Sequence, residues 1–165
     1  MESGRHIAHM EESDTGELVR QVVEDFRGQA CANPHRVELR MPSERCRIRA
    51  DRDGLTRALW NLLENAVKYS PESSTVRVSV EHRREQVGIS VEDEGCGIPE
   101  NEQRQVFRKF VRGTAARDLQ VKGTGIGLAM VERIVREHHG RVELTSVSGR
   151  GSRFTILLPA EVNHQ

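Results

Sequence analysis

Aromatic side chains are scarce in this chain: one Trp, one Tyr and four Phe among 165 residues. Its core must therefore be largely aliphatic, and no basic stripe interleaved with aromatics is present to grip single-stranded nucleic acid. Net charge is also missing, since 25 Lys and Arg are matched by 25 Asp and Glu. That balance argues against a chain whose main work is holding a phosphodiester backbone. No run of about 18 apolar residues occurs, and no charged-apolar-small segment opens the chain. The expectation is a cytoplasmic chain with no membrane contact of its own. Cys31, Cys46 and Cys96 are odd in number and lack CxxC spacing, which supports neither a disulfide framework nor a zinc site. The seven histidines, His6, His9, His35, His82, His138, His139 and His164, form no HExxH pair. His138 and His139 close a helix, where positive character suits the dipole, and are read as structural.

What is present is organised around residues 57–71. Leu55, Ala58, Leu59, Leu62, Leu63 and Ala66 recur at intervals of three and four, a stripe suited to burial against a sheet. Asn61, Asn65 and Lys68 follow the same spacing beside it, so two amides and an ammonium share a narrow strip of surface. A hard cation and a phosphate could sit there. Solvated surface asparagines are the plain alternative, because neither residue has a forced partner in the sequence.

Around this helix the chain reads as one domain over residues 14–159. Residues 1–13 carry no clear periodicity and are set aside as an upstream remnant or an added scar, and residues 160–165 form a polar tail. Asp14 and Glu17 predict a capping box, with Val19, Val22, Val23, Phe26 and Ala30 on one helical face. Val37–Met41 and Arg47–Ala50 are strand candidates, and Asp51 is the expected N-cap of the central helix. Val76, Val78 and Val80 alternate with polar residues, as do Val87, Ile89 and Val91, which predicts a hairpin with one buried face. Asp93 has the parity of the second set, so a carboxylate follows three buried side chains inward and needs a hydrogen-bond partner.

Two glycine clusters follow. Asp93-Glu94-Gly95-Cys96-Gly97-Ile98-Pro99 breaks the strand and lets backbone approach whatever Asp93 faces; a tight turn would explain the glycines equally well. Glu100–Phe110 reads as a short helix, and Val111–Lys122 as a polar, aperiodic lid. Gly123-Thr124-Gly125-Ile126-Gly127-Leu128 opens a helix with Leu128, Val131, Ile134, Val135 and His138 on one face and Gly140 as its C-cap. Free N–H groups there could meet an anion, although a glycine-rich hinge would look the same. A dinucleotide fingerprint is rejected because no strand directly precedes these glycines, and no Walker GxxxxGK[ST] occurs. Arg141–Ser146 and Ser152–Leu158 predict a final hairpin. The expected fold is an α/β (α+β) two-layer sandwich: about three helices on one face of a mixed, mostly antiparallel sheet of roughly four to six strands.

In this order the motifs resemble the catalytic, ATP-binding domain of bacterial sensor histidine kinases, a branch of the Bergerat-fold ATPases shared with type II topoisomerases, Hsp90 and mismatch-repair ATPases. NLLENAVKYS resembles the N box, DEGCGIP the first glycine box, VFRKFVRG the phenylalanine box, GTGIGLAMV the second glycine box and GRGSRFTILLP the closing hairpin. The resemblance covers nearly all of residues 14–159. It implies Mg²⁺ and ATP as cofactors. Asp93 would accept from the adenine amine, with Tyr69 beside the ring and Gly95, Gly97 and Ile98 in the loop around it. Asn65 would ligate Mg²⁺ through its amide oxygen, with Asn61 in support. Lys68 and Arg112 would meet the phosphates, as would the segment Gly123, Thr124, Gly125, Gly127 and Leu128. Phe107 and Phe110 would anchor the lid.

The resemblance also implies an acceptor histidine on a separate dimerisation domain, followed directly by an acid, and a response regulator downstream. No histidine here precedes an acid. The expectation is thus a monomeric kinase fragment, or a kinase domain acting on another polypeptide. Hydrolytic relatives carry Glu at the position of Asn61, so slow ATP hydrolysis is expected here. Glu64, about 100° around the helix from Asn65, should point away. The alternatives are a serine kinase of the anti-sigma-factor type and a non-catalytic ATP-sensing module.

Overall fold

A computed structural model describes residues 7–29, 35–108 and 127–161. In chain order the elements are β1 (Met10–Asp14), α1 (Thr15–Gln29), β2 (Arg36–Arg40), β3 (Arg47–Asp51), α2 (Arg52–Lys68), β4 (Thr75–Arg83), β5 (Gln86–Asp93), α3 (Gly127–Glu137), β6 (Arg141–Val147) and β7 (Gly151–Pro159). Two single 3₁₀ turns, Glu100–Glu102 and Gln105–Phe107, stand where the sequence pattern predicts a short helix.

Five strands form one sheet in the order β2-β4-β5-β7-β6, with β2 parallel to β4 and every other pair antiparallel. The three helices pack on one face of it. Leu55, Ala58, Leu59, Leu62, Leu63 and Ala66 are all buried there, as the spacing predicts, against Val76, Val78, Val80, Val87, Ile89 and Val91. The buried core is aliphatic apart from Phe26, Phe154 and Cys46, with Trp60 edge-on to Phe26 at 5.1 Å between ring centroids. Asp14 caps α1 as expected, accepting from the Glu17 N–H at 3.1 Å. Ala30, assigned to the same helical face, lies outside the described residues.

Four expectations are corrected. The boundary at residue 14 omits β1, which pairs antiparallel with β3 from Met10↔Asp51 to Asp14↔Arg47. Its sequence, MEESD, has no apolar alternation, because the strand is held by backbone pairing and buries only Ser13. Second, β5 is buried on both faces. As the middle strand of five it places Gly88 and Ser90 under their neighbours, and the Ser90 and Thr155 hydroxyls bond at 2.9 Å. Third, the segment from Glu100 forms two 3₁₀ turns rather than one short helix; Asp51 does hold the N-cap position of α2 as expected, without a side-chain capping bond.

The fourth correction concerns the end of α3. The left-handed residue is His139, at φ 59°, rather than Gly140. The His139 N–H donates to the Arg136 carbonyl at 2.9 Å and the Gly140 N–H to that of Val135 at 3.0 Å, a Schellman closure. Gly140 is needed for a different reason: a Cβ there would collide with the Leu157 carbonyl of β7. Nor does His138 act as a positive charge on the dipole. Its Nε2 accepts from the Asp51 N–H at 3.0 Å, so its proton is on Nδ1, donated to the Ile134 carbonyl at 2.7 Å.

Candidate functional site

Helix α2 presents the amide stripe at the edge of its buried face. Asn61 and Asn65 are half-buried and Lys68 is exposed. The Asn61 Nδ2 donates to its own helix at the Arg57 carbonyl, 3.0 Å away, which fixes the side chain. Its Oδ1 then faces the start of α3, where a Cβ on Gly127 would approach within 2.8 Å. The Asn65 amide, by contrast, makes no hydrogen bond to another described residue. Glu64 points away as expected, accepting from Trp60 Nε1 at 2.9 Å.

At the other end of α2, Tyr69 closes the helix through its N–H to the Asn65 carbonyl. Its own carbonyl receives the Cys96 N–H at 3.4 Å, and a Cβ on Gly95 would collide with it. The first glycine cluster is thereby held against the helix that carries the asparagines. Asp93 is buried, and its Oδ1 accepts from the Gly95 N–H at 2.9 Å. Burial raises the Asp93 pKa; the N–H groups of Gly95 and Ser152 pull it back, and the Glu92 charge adds to the rise. Burial likewise raises the Cys96 thiol, opposed by its own backbone N–H and reinforced by Asp93.

The closing hairpin forms the other wall. Gly97, at φ 71°, lies too close to the Val147 carbonyl for any side chain, and Gly151 stands in the same relation to the Asp93 carbonyl. The Gly149 N–H donates to the Cys96 carbonyl at 2.7 Å. The Ser146 hydroxyl accepts from the Ile98 N–H at 2.7 Å and donates to the Gly151 carbonyl at 2.9 Å. Gln103 ties Ile98 and Ser146 together from below, donating to both carbonyls at 3.0 Å. Phe107 meets Phe154 edge-on at 6.0 Å, and Leu128 packs against the core. Ser146 and Ser152 are supports that sequence reasoning missed. The signal for them is the strand register: β5–β7 sets Asp93 opposite Ser152, and β6–β7 sets Ser152 opposite Ser146.

Of the expected site residues, the structure joins Tyr69 to Gly95 and Cys96, Asp93 to Gly95, and Asn61 to Gly127. Phe110, Arg112, Gly123, Thr124, Gly125 and the lid at 111–122 lie outside the described residues. No group of three or more His, Cys, Asp or Glu side chains suited to a metal occurs among the described residues. No helix among them is long and apolar enough to cross a membrane.

A buried strand-end carboxylate, a glycine loop pinned to a helix of amides and a second glycine-opened helix define an ATPase domain, and comparison bears this out. Residues 50–162 match the family described as histidine kinase-, DNA gyrase B- and HSP90-like ATPases, and the chain belongs to that family. Over 149 residues, 90% of its length, the chain is 36% identical to the adaptive-response sensory kinase SasA of Synechococcus sp. strain JA-3-3Ab. It spans 39% of that relative's length. The mycobacterial sensor histidine kinase MprB superposes with a TM-score of 0.79 at 27% identity, covering 93% of this chain and 99% of that one. Full-length ShkA, solved with AMPPNP, gives 0.82 at 27% identity over 96% of this chain and 33% of its own.

Proposed function

We propose that residues 14–159, extended back to β1, are the Mg-ATP-binding catalytic domain of a cytoplasmic sensor histidine kinase segment. It would donate the ATP γ-phosphate to a histidine on a separate dimerisation domain, with a response regulator downstream. The observation that carries this reading is the joint between Asp93, Gly95 and Tyr69. It sets a buried carboxylate and bare backbone next to the helix that holds Asn65.

In this reading Asp93 accepts from the adenine amine, and Gly95, Gly97 and Ile98 line the ring beside Tyr69. Asn65, whose amide bonds to no other described residue, offers an oxygen to Mg²⁺. The donor set fits that ion, which takes few protein ligands and completes its shell with water and phosphate oxygens. Bound Mg²⁺ would neutralise phosphate charge during transfer. Lys68 and Arg112 add positive charge, and Gly123, Thr124, Gly125, Gly127 and Leu128 supply backbone N–H groups to the phosphates. Phe107 and Phe110 anchor the lid.

Phosphoryl transfer of this kind depends on positioning and charge neutralisation, so the domain needs no nucleophile of its own. Asn61 supports that conclusion. Its Nδ2 is committed to Arg57 and its oxygen faces Gly127, leaving no base to activate water. The fragment would act as a monomer. Incubation with Mg-ATP and a histidine-bearing dimerisation domain should yield acid-labile phosphoprotein. An acid-stable product would instead identify a serine kinase, and tight ATP binding without transfer a sensing module.

A further inference from the structure

We infer that His138 is a positioning residue that sets the register between α2 and α3, and so the placement of Gly127 against Asn61. The inference rests on the site reading above. His138 lies at the C-terminal end of α3, only 3% exposed, and both ring nitrogens are committed. Nε2 accepts from the Asp51 N–H where α2 begins, and Nδ1–H donates to the Ile134 carbonyl of its own helix. The imidazole therefore bolts the end of α3 to the start of α2.

A second fixed point lies at the far end of α3, where Gly127 abuts Asn61. Asp51 and Asn61 are separated by about 15 Å of helix, and Gly127 and His138 by about 16 Å, at 1.5 Å per residue. The two spans match, so the helices are pinned at both ends in antiparallel sense. Near the His138 end, a Cβ on Gly54 would lie 3.6 Å from Ile134 Cγ2, ordinary contact between closely packed helices. Packing alone resists separation of the helices. The imidazole adds resistance to sliding, because a shift of one residue would part Nε2 from the Asp51 N–H and leave that donor buried and unpaired. A slide would also carry Gly127 off Asn61, at the phosphate end, while leaving Asp93 in place.

The test compares His138→Leu with His138→Gln, whose amide oxygen restores an acceptor for the Asp51 N–H. Hydrogen exchange of the Gly127–Val131 amides reads register without nucleotide, and calorimetry reads Mg-ATP against adenosine. His138→Leu should speed exchange in that first turn and weaken Mg-ATP about tenfold while changing adenosine less than about twofold, and His138→Gln should recover most of the loss. Should the Leu variant not fold, His138→Asn, too short to reach Asp51, takes its place. Unchanged exchange and unchanged Mg-ATP affinity in the folded variant would overturn the inference, as would equal weakening of both ligands without rescue by Gln. A wild-type domain that binds no Mg-ATP would defeat the site reading instead, and the exchange comparison would still decide the register.

Discussion

A side chain on Gly95 would strike the carbonyl oxygen of Tyr69, so the first glycine loop touches the end of α2 with nothing but backbone between them. That contact sets the distance between Asp93, whose Oδ1 holds the Gly95 N–H, and the helix carrying Asn65. Gly95→Ala must push the loop away or bend the helix end, at a cost of about 1–3 kcal/mol. Denaturant unfolding should report that loss, and ATP titration a weaker site. Wild-type stability together with wild-type affinity would refute the close approach.

Asp93→Asn separates fold from recognition. Burial raises the Asp93 pKa, so the folded protein holds that proton more tightly than the unfolded chain. Its stabilising contribution is complete below the ordinary Asp pKa and is lost as pH rises through the raised value. Above that raised value the ligand-free wild type carries a buried charge. The substituted amide removes that charge, and its oxygen can still accept from the Gly95 N–H. The ligand-free variant should melt above wild type once the pH exceeds the raised value, with the difference shrinking toward about pH 4. ATP affinity should fall by about 1.5–3 kcal/mol. Calorimetry showing unchanged ATP affinity would remove Asp93 from adenine recognition.

Asn65→Ala probes the metal end. The Asn65 amide bonds to no other described residue, and Ala favours a helix interior by about 0.5 kcal/mol over Asn. Circular dichroism and thermal melting should show an intact, slightly more stable fold. Mg-dependent strengthening of ATP binding should disappear. A variant that still gains affinity on addition of Mg²⁺ would remove Asn65 from the metal shell.

These tests fall on residues of very different legibility. The α2 stripe, the inward-facing valines and isoleucine of the central hairpin and the inward parity of Asp93 can be read from sequence because burial imposes a period on neighbouring residues, although β5 is buried on its other face as well. β1 leaves no such trace, since MEESD is held by pairing with β3. Ser152 is equally silent, because its role follows from the non-local alignment of β5 with β7, and Ser146 joins it only through the β6–β7 register that sets the two serines opposite each other. His138 reads as a helix-end charge until the packing of α3 on α2 shows which proton its ring carries. Asn61 lies between these cases: its face follows from spacing, but its contact with Gly127 requires two helices to meet.

The end of α3 offers a prediction on stability alone. His139 holds φ 59°, a left-handed conformation in which its Cβ crowds the backbone, while its side chain is exposed. Glycine at that position relieves the crowding and keeps both Schellman bonds, which come from backbone N–H groups. Part of the gain is offset by the greater freedom of glycine in the unfolded chain. His139→Gly should therefore stabilise the domain by about 1 kcal/mol, or roughly 3 °C in melting temperature. ATP affinity should not move, because His139 closes the end of α3 opposite Gly127, which is the end that meets Asn61. The opposite is expected of Gly140→Ala, whose added methyl meets the Leu157 carbonyl of β7. If His139→Gly lowered the melting temperature, the left-handed residue closing α3 would have to be sought at Gly140 after all.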